Sequence, residues 1–155
     1  MQVEYKRATT DDIASLLSLM HDFYAESGFA VNRASAGAAL RALLSNFALG
    51  CIWLAYADKS PVGHVVLTVR FTMEHEGLSG YIDDLYVRPQ YRRGGVGRHL
   101  LTELVVECRR RGCKSLQVEV GHSNVAALSL YERFGLHATT DGRVLASGPV
   151  VEAGA

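Results

Sequence analysis

A mixed α/β sheet with helices on both faces is the fold class that this 155-residue sequence predicts, on three observations. Gly80–Val87 and Ser115–Val120 read as strands flanking a helix at Gly95–Arg111, an order that makes the two strands parallel through a right-handed crossover. Cys51–Ala57 and Val62–Phe71 read as two further strands joined by Asp58-Lys59-Ser60-Pro61, a turn-rich tetrapeptide that suits an antiparallel hairpin. Apolar residues recur at helical spacing in the other long segments, which supplies the covering layers.

Taken in order, Val3–Arg7 alternates and begins the chain as a strand. Thr10-Asp11-Asp12 caps a helix through Tyr24, with Ile13, Leu16, Leu17, Met20 and Phe23 or Tyr24 along one side and Gly28 as its breaker. A second helix, about Ala34–Phe47, carries Leu40, Leu43, Leu44 and Phe47 and ends at Gly50. The hairpin follows, then a loop over Met73–Gly80. In the third helix Val96, Leu100, Leu101, Leu104, Val105 and Cys108 form the apolar stripe, while Arg109, Arg110 and Arg111 suit its negative end before Gly112. A fourth helix covers Val125–Phe134. Leu136–Thr140 and Arg143–Val150 then read as a closing hairpin about Asp141-Gly142, giving about six to seven strands and four helices in all. Residues 1–155 read as one domain, with 151–155 as a frayed tail.

The run Arg92-Arg93-Gly94-Gly95-Val96-Gly97-Arg98 lies between a strand and a helix. That placement brings backbone N–H groups and the positive end of a helix dipole to one point, which suits a pyrophosphate. A Walker A loop is excluded, because Arg98 and His99 stand where lysine and a hydroxyl are needed. A dinucleotide fingerprint begins well at Gly95 and Gly97 but meets Leu100 in place of its third glycine, although Glu119 stands at roughly the distance of the ribose-binding acid.

Arg92, Gly95 and Gly97 satisfy R/Q-x-x-G-x-G/A, and Asn124, Ala127, Leu130, Tyr131, Gly135 and Leu136 follow N-x-x-A-x-x-L-Y-x-x-x-G-F with leucine in place of the last aromatic. These two signatures in this order resemble the GCN5-related N-acetyltransferase (GNAT) family over about Tyr81–Leu136. The resemblance implies a GNAT-like sheet whose fourth and fifth strands splay apart for acetyl-coenzyme A, the acyl donor. It further implies that the loop amides hold the diphosphate, that Leu85, Tyr86 and Val87 flank the pantetheine arm, and that Asn124 bonds to the coenzyme as well as, or instead of, capping its own helix. Homodimers occur among such proteins, but no interface is legible here.

Acetyl transfer to a primary amine sets two proton problems. An amine with a pKa near 10.4 is neutral in about one molecule in 2,500 at pH 7, which corresponds to about 4.6 kcal/mol. Asp83 is the first candidate for the base or water-relaying carboxylate, by likeness to an acidic position on this strand in some family members, and Asp84 is the alternative should a bulge flip the alternation. An ordinary carboxylate is a feeble base, so either role requires burial, a water relay or a purely attractive function. The resemblance assigns Tyr131 to the departing thiolate; transfer from an ordinary phenol runs about 2 kcal/mol uphill, so stabilising the charge is the alternative to full protonation. His122 and the polar run Glu74-His75-Glu76 are weaker candidates for acceptor contacts.

The 16 basic and 16 acidic residues cancel, which argues against nucleic-acid binding. Cys51, Cys108 and Cys113 lack metal-binding spacing, so neither zinc nor another metal is expected. With no apolar run of membrane-spanning length and no leader-like N-terminus, the expected location is the cytoplasm, away from membranes. The expected activity is acetyl-coenzyme A-dependent transfer to a small-molecule or peptide amine. Two other readings remain at this point: a noncatalytic acyl-coenzyme A sensor, and a dinucleotide-binding domain, which the early hairpin disfavours.

Overall fold

Val3–Arg7 forms strand β1, its residues alternating between half-buried and exposed, and it lies antiparallel to β2 (Gly50–Ala57). Strand β2 pairs antiparallel with β3 (Ser60–Thr72), across the turn where Asp58 and Lys59 take left-handed φ of 48° and 65°. The computed structural model describes residues 2–150 and divides the chain into two units, one ending at Gly121 and the next beginning at His122.

The first unit holds one sheet in the order β1-β2-β3-β4-β5. Strand β4 (Gly77–Val87) is antiparallel to β3, and β5 (Ser115–Val118) is parallel to β4, which makes the sheet mixed as expected. Among the described residues five strands replace the expected six to seven. Half of the presumed loop at 73–80 is strand instead, because the β3–β4 ladder continues to Thr72↔Gly77 and only 73–76 turn. Glycines at 77 and 80, poor strand formers by propensity, hid that extension.

Helix α1 (Ile13–Glu26) follows a single 3₁₀ turn at Thr10–Asp12. Thr9, one residue earlier than expected, makes the capping box with Asp12, whose carboxylate also takes the Lys6 ammonium at 2.8 Å. Helix α2 (Arg33–Leu44) is capped by Asn32, which accepts from the Ser35 amide at 3.0 Å. Leu16, Leu17, Leu19 and Leu40 from these helices pack with Ile52, Leu54, Val66 and Tyr86 on one face of the sheet. Helix α3 (Val96–Arg111) packs on the other face, where a Cβ on Gly63 would meet Leu100 at 3.4 Å and one on Gly80 would meet Cys108 at 2.7 Å. Gly112 ends it in the left-handed conformation at φ 76°, as expected.

In the second unit helix α4 (Val125–Glu132) gives way to Gly135 at φ 79°. The closing hairpin at 136–150 does not form: none of these residues is in a strand, and Val144 and Leu145 stay 88% and 71% exposed. A two-stranded hairpin with no covered apolar face is marginal in water, which is the physical reason alternation alone misled here. The expected frayed tail, 151–155, lies outside the described residues.

Candidate functional site

A single 3₁₀ turn at Pro89–Tyr91 leads out of β4, and two left-handed residues, Arg93 at φ 63° and Gly95 at φ 86°, then fold the chain into the start of α3. Gly95 is the N-cap and no side chain caps the helix, so the first-turn amides of Val96, Gly97 and Arg98 face the positive end of the dipole without a side-chain acceptor. A Cβ on Gly95 would meet nothing within 4 Å. Glycine is therefore needed there for its φ, and the open space over the loop fits a diphosphate. Gly94 is exposed, as are Arg93 and Arg98, and neither arginine forms an ion pair among the described residues.

Arg92 behaves differently from the sequence expectation. Its guanidinium donates to the Val87 carbonyl at 2.7 Å and to both oxygens of Glu26 at 2.9 Å, and it lies over the Tyr86 ring at 5.6 Å. Its charge is thus spent on α1 and β4 rather than offered to a phosphate. The Val87 carbonyl, expected to serve the pantetheine arm, already holds one hydrogen bond.

The parallel ladder between β4 and β5 ends at Ile82↔Val118, whereas β4 continues for five residues to Val87. Along Asp83–Val87 the side of β4 toward β5 therefore has no strand partner. This includes the Leu85–Val87 stretch, a backbone edge that an amide-bearing chain can pair with. Where the strands part, the Tyr81 hydroxyl donates to Glu119 at 2.6 Å. Burial, then that bond to a carboxylate, pushes the Tyr81 phenol up to about 12.

The two aspartates are separated by a β-bulge. Val66 pairs with Asp84 and Leu67 with Ile82, which leaves Asp83 without an opposite residue. Gly80 faces Cys108 of α3, and regular alternation would send Ile82 and Asp84 the same way. Instead Asp84 meets α1, accepting a hydrogen bond from the Tyr24 hydroxyl at 3.2 Å. The shared face expected for Ile82, Asp84 and Tyr86 is broken at Asp83, and Asp84 joins the α1 side with Tyr86, whose ring stacks on Phe23 at 5.2 Å. Burial and then the neighbouring Asp83 charge raise the Asp84 carboxyl to about 6, against the opposing bond from Tyr24. Asp83 is exposed as a residue, yet partial desolvation of its carboxyl raises its pKa.

Tyr24 also lines an open cleft of about 440 Å³ with Met20, Phe29, Ala30, Val31, Asn32, Ser35 and Ala36. Sequence reasoning read Tyr24 only as part of a helical stripe and Glu119 only as a possible ribose acid. No local pattern signals either pairing, since the partners lie 60 and 38 residues away.

In the second unit Asn124 caps α4, its side chain accepting from the Ala127 amide at 3.2 Å. Tyr131 is buried, and its carbonyl accepts from Phe134 and Leu136 in the turn after the helix. His122 is exposed, and Glu74, His75 and Glu76 lie in the tight β3–β4 turn. No group of three or more His, Cys, Asp or Glu able to hold a metal occurs among the described residues, nor is any of their helices long and apolar enough to cross a membrane.

A parallel ladder that ends at Ile82↔Val118, five residues before β4 does, and a helix start without a side-chain cap define a protein with a free strand edge and an amide-lined turn. Residues 15–136 match the acetyltransferase (GNAT) family, and the chain belongs to that family. Among solved structures it is similar to an integron cassette protein from the mobile metagenome of Cole Harbour Salt Marsh, with 35% identity, a TM-score of 0.83, and coverage of 96% of this chain and 91% of that one. A predicted acetyltransferase from Clostridium acetobutylicum, solved with acetyl-CoA, shares the fold at 20% identity and a TM-score of 0.79, over 94% of this chain and 96% of that one. The [ribosomal protein bS18]-alanine N-acetyltransferase of Escherichia coli (strain K12) is 42% identical over 69 residues, which are 39% of this chain and 47% of the relative. The chain thus spans about half the length of the curated relatives it matches.

Proposed function

We propose that this protein is an acetyl-coenzyme A-dependent N-acetyltransferase in which a primary amine attacks the thioester directly. The observation that carries the reading is the end of the β4–β5 ladder at Ile82↔Val118, with the uncapped start of α3 at the end of the same strand. The loop amides from Arg93 to Gly97 hold the diphosphate, with Arg93 and Arg98 contributing charge. The free edge of β4 at Leu85–Val87 orients the amide-bearing arm, and the coenzyme supplies an activated acetyl group.

Asp84 serves as the base, directly or through a water. A carboxyl near 6 is a better match to an ammonium proton than an ordinary one, and its half-buried position next to the Asp83 charge accounts for that value against the opposing bond from Tyr24. Asp83 supplies negative charge that raises Asp84 and attracts a cationic acceptor. Tyr131, whose support is the Asn124–Leu136 signature, hydrogen-bonds the departing thiolate, and Asn124 contributes to coenzyme binding from the same signature. The acceptor class is a cationic primary amine on a small molecule or a peptide; the likeness to a ribosomal-protein alanine acetyltransferase makes a protein N-terminus one member of that class. No metal takes part, and the cytoplasm, where acetyl-coenzyme A is available, is the site of action.

The test is release of free thiol from acetyl-coenzyme A in the presence of polyamines, aminoglycosides, amino acids and peptide N-termini. Turnover with at least one class supports the reading. Saturable coenzyme binding with no thiol release across the whole panel would replace it with a binding module.

A further inference from the structure

Ser18, Asp22 and Glu26 stand four residues apart and so occupy one face of α1. Two arginines, also four apart, reach back to that face from the end of β4 and the start of the phosphate loop. Arg88 donates to Asp22 at 3.0 Å, to Ser18 at 2.9 Å and to the Pro61 carbonyl at 2.8 Å. Arg92 donates to both oxygens of Glu26 and to the Val87 carbonyl, and Glu26 receives a further hydrogen bond from the Tyr86 hydroxyl at 3.0 Å. The base of the loop is therefore fastened to a helix that is itself anchored in the core by Leu16 and Leu19, both 0% exposed.

We propose that Glu26 is a positioning residue for coenzyme binding: it draws the Arg92 guanidinium away from the phosphate loop and fixes the loop's entry, so that backbone amides rather than Arg92 meet the diphosphate. This rests on the acetyltransferase reading. Arg93 follows Arg92 directly and adopts a left-handed φ of 63°. A non-glycine residue holds such a strained conformation only when its surroundings determine it. The clasp on Arg92 is the restraint immediately before that residue. The pair itself is solvent-accessible, with side chains 44% and 41% exposed, so its direct contribution to stability is small. What it supplies is loop geometry, because the guanidinium is held by three acceptor atoms on two different elements.

The experiment compares intact wild-type protein with Glu26→Gln, Arg92→Gln and the double variant. Affinity for coenzyme A is measured by titration calorimetry, acetyl-coenzyme A KM and kcat are measured with an accepted amine, and thermal melts confirm folding. Each single variant is expected to weaken coenzyme A binding about tenfold, the scale of one lost charge-assisted hydrogen bond. The double variant should be no weaker than either single, as for two ends of one contact, and kcat should fall far less than affinity. Unchanged affinity in Glu26→Gln would overturn the proposal, as would tighter binding, which would mean that freed Arg92 is itself a phosphate ligand. Failure of the wild type to bind coenzyme A would remove the acetyltransferase reading together with this inference, whereas normal wild-type binding that is indifferent to Glu26 would remove only the inference.

Discussion

The Tyr24 hydroxyl donates to Oδ2 of Asp84 at 3.2 Å, tying the last turns of α1 to the strand that carries both candidate carboxylates. A hydrogen bond given to a carboxylate favours its charged form, so Tyr24 holds Asp84 below the value that burial and Asp83 alone would set. Tyr24→Phe should therefore move the acidic limb of the pH dependence of kcat/KM to higher pH. An unmoved limb would separate Tyr24 from the titration that governs activity.

Exchanging the two aspartates singly distinguishes their roles. Asp84→Asn is expected to lower kcat/KM about a hundredfold, the lower end of general-base contributions. Asp83→Asn removes the charge that raises its neighbour, so its acidic limb should shift to lower pH with most activity retained at neutral pH. The reverse ranking would return the base to Asp83.

Half-buried Asp84 and buried His64 set opposing trends in stability with pH. Asp84 titrates near 6 in the fold against 3.8 unfolded, so between those values the folded state binds more protons and stability falls as pH rises. His64 is fully buried, both ring nitrogens lack a hydrogen-bond partner among the described residues, and burial lowers its pKa from 6.5 to about 4. There the unfolded state binds more protons, and stability falls as pH falls. The opposed slopes should leave the wild type nearly flat between pH 4 and 6. In thermal melts Asp84→Asn should expose the acid-sensitive slope and be more stable than wild type at pH 7, while His64→Leu should show the opposite slope. Melting curves for all three that run parallel with pH would contradict this account.

Tyr131→Phe is expected to slow acetyl transfer tenfold or more while coenzyme A binding stays near normal, because in the proposed role the hydroxyl serves the leaving group. Thiol-release kinetics beside calorimetric binding separate the two effects. Turnover equal to wild type would take Tyr131 out of the mechanism.

Glu107 is 1% exposed and faces Arg7 at 3.6 Å, Arg110 at 3.1 Å and Arg111 at 3.3 Å. The Arg111 side chain is only 7% exposed and donates to the Phe47 and Gly50 carbonyls. Removing the carboxylate strands buried positive charge, so Glu107→Leu should cost about 3 kcal/mol, measured by denaturant unfolding. A loss well under 1 kcal/mol would show that water reaches these arginines.

Local patterns in the chain were enough to specify the glycine turn before α3, the extent of α3 to within one residue, the early hairpin and strand β1, because a glycine turn, a 3.6-residue stripe and a two-residue alternation each act over a few neighbouring residues. The bulge at Asp83, the pairing of Tyr24 with Asp84 and the diversion of Arg92 to Glu26 were decided only by tertiary structure. Each depends on which distant elements come to lie side by side, and a one-residue slip in strand register reverses every side chain beyond it. The missing hairpin after Leu136 has the same cause: alternation marks a segment able to be a strand, but a strand forms only where a partner and a covered face exist to satisfy it.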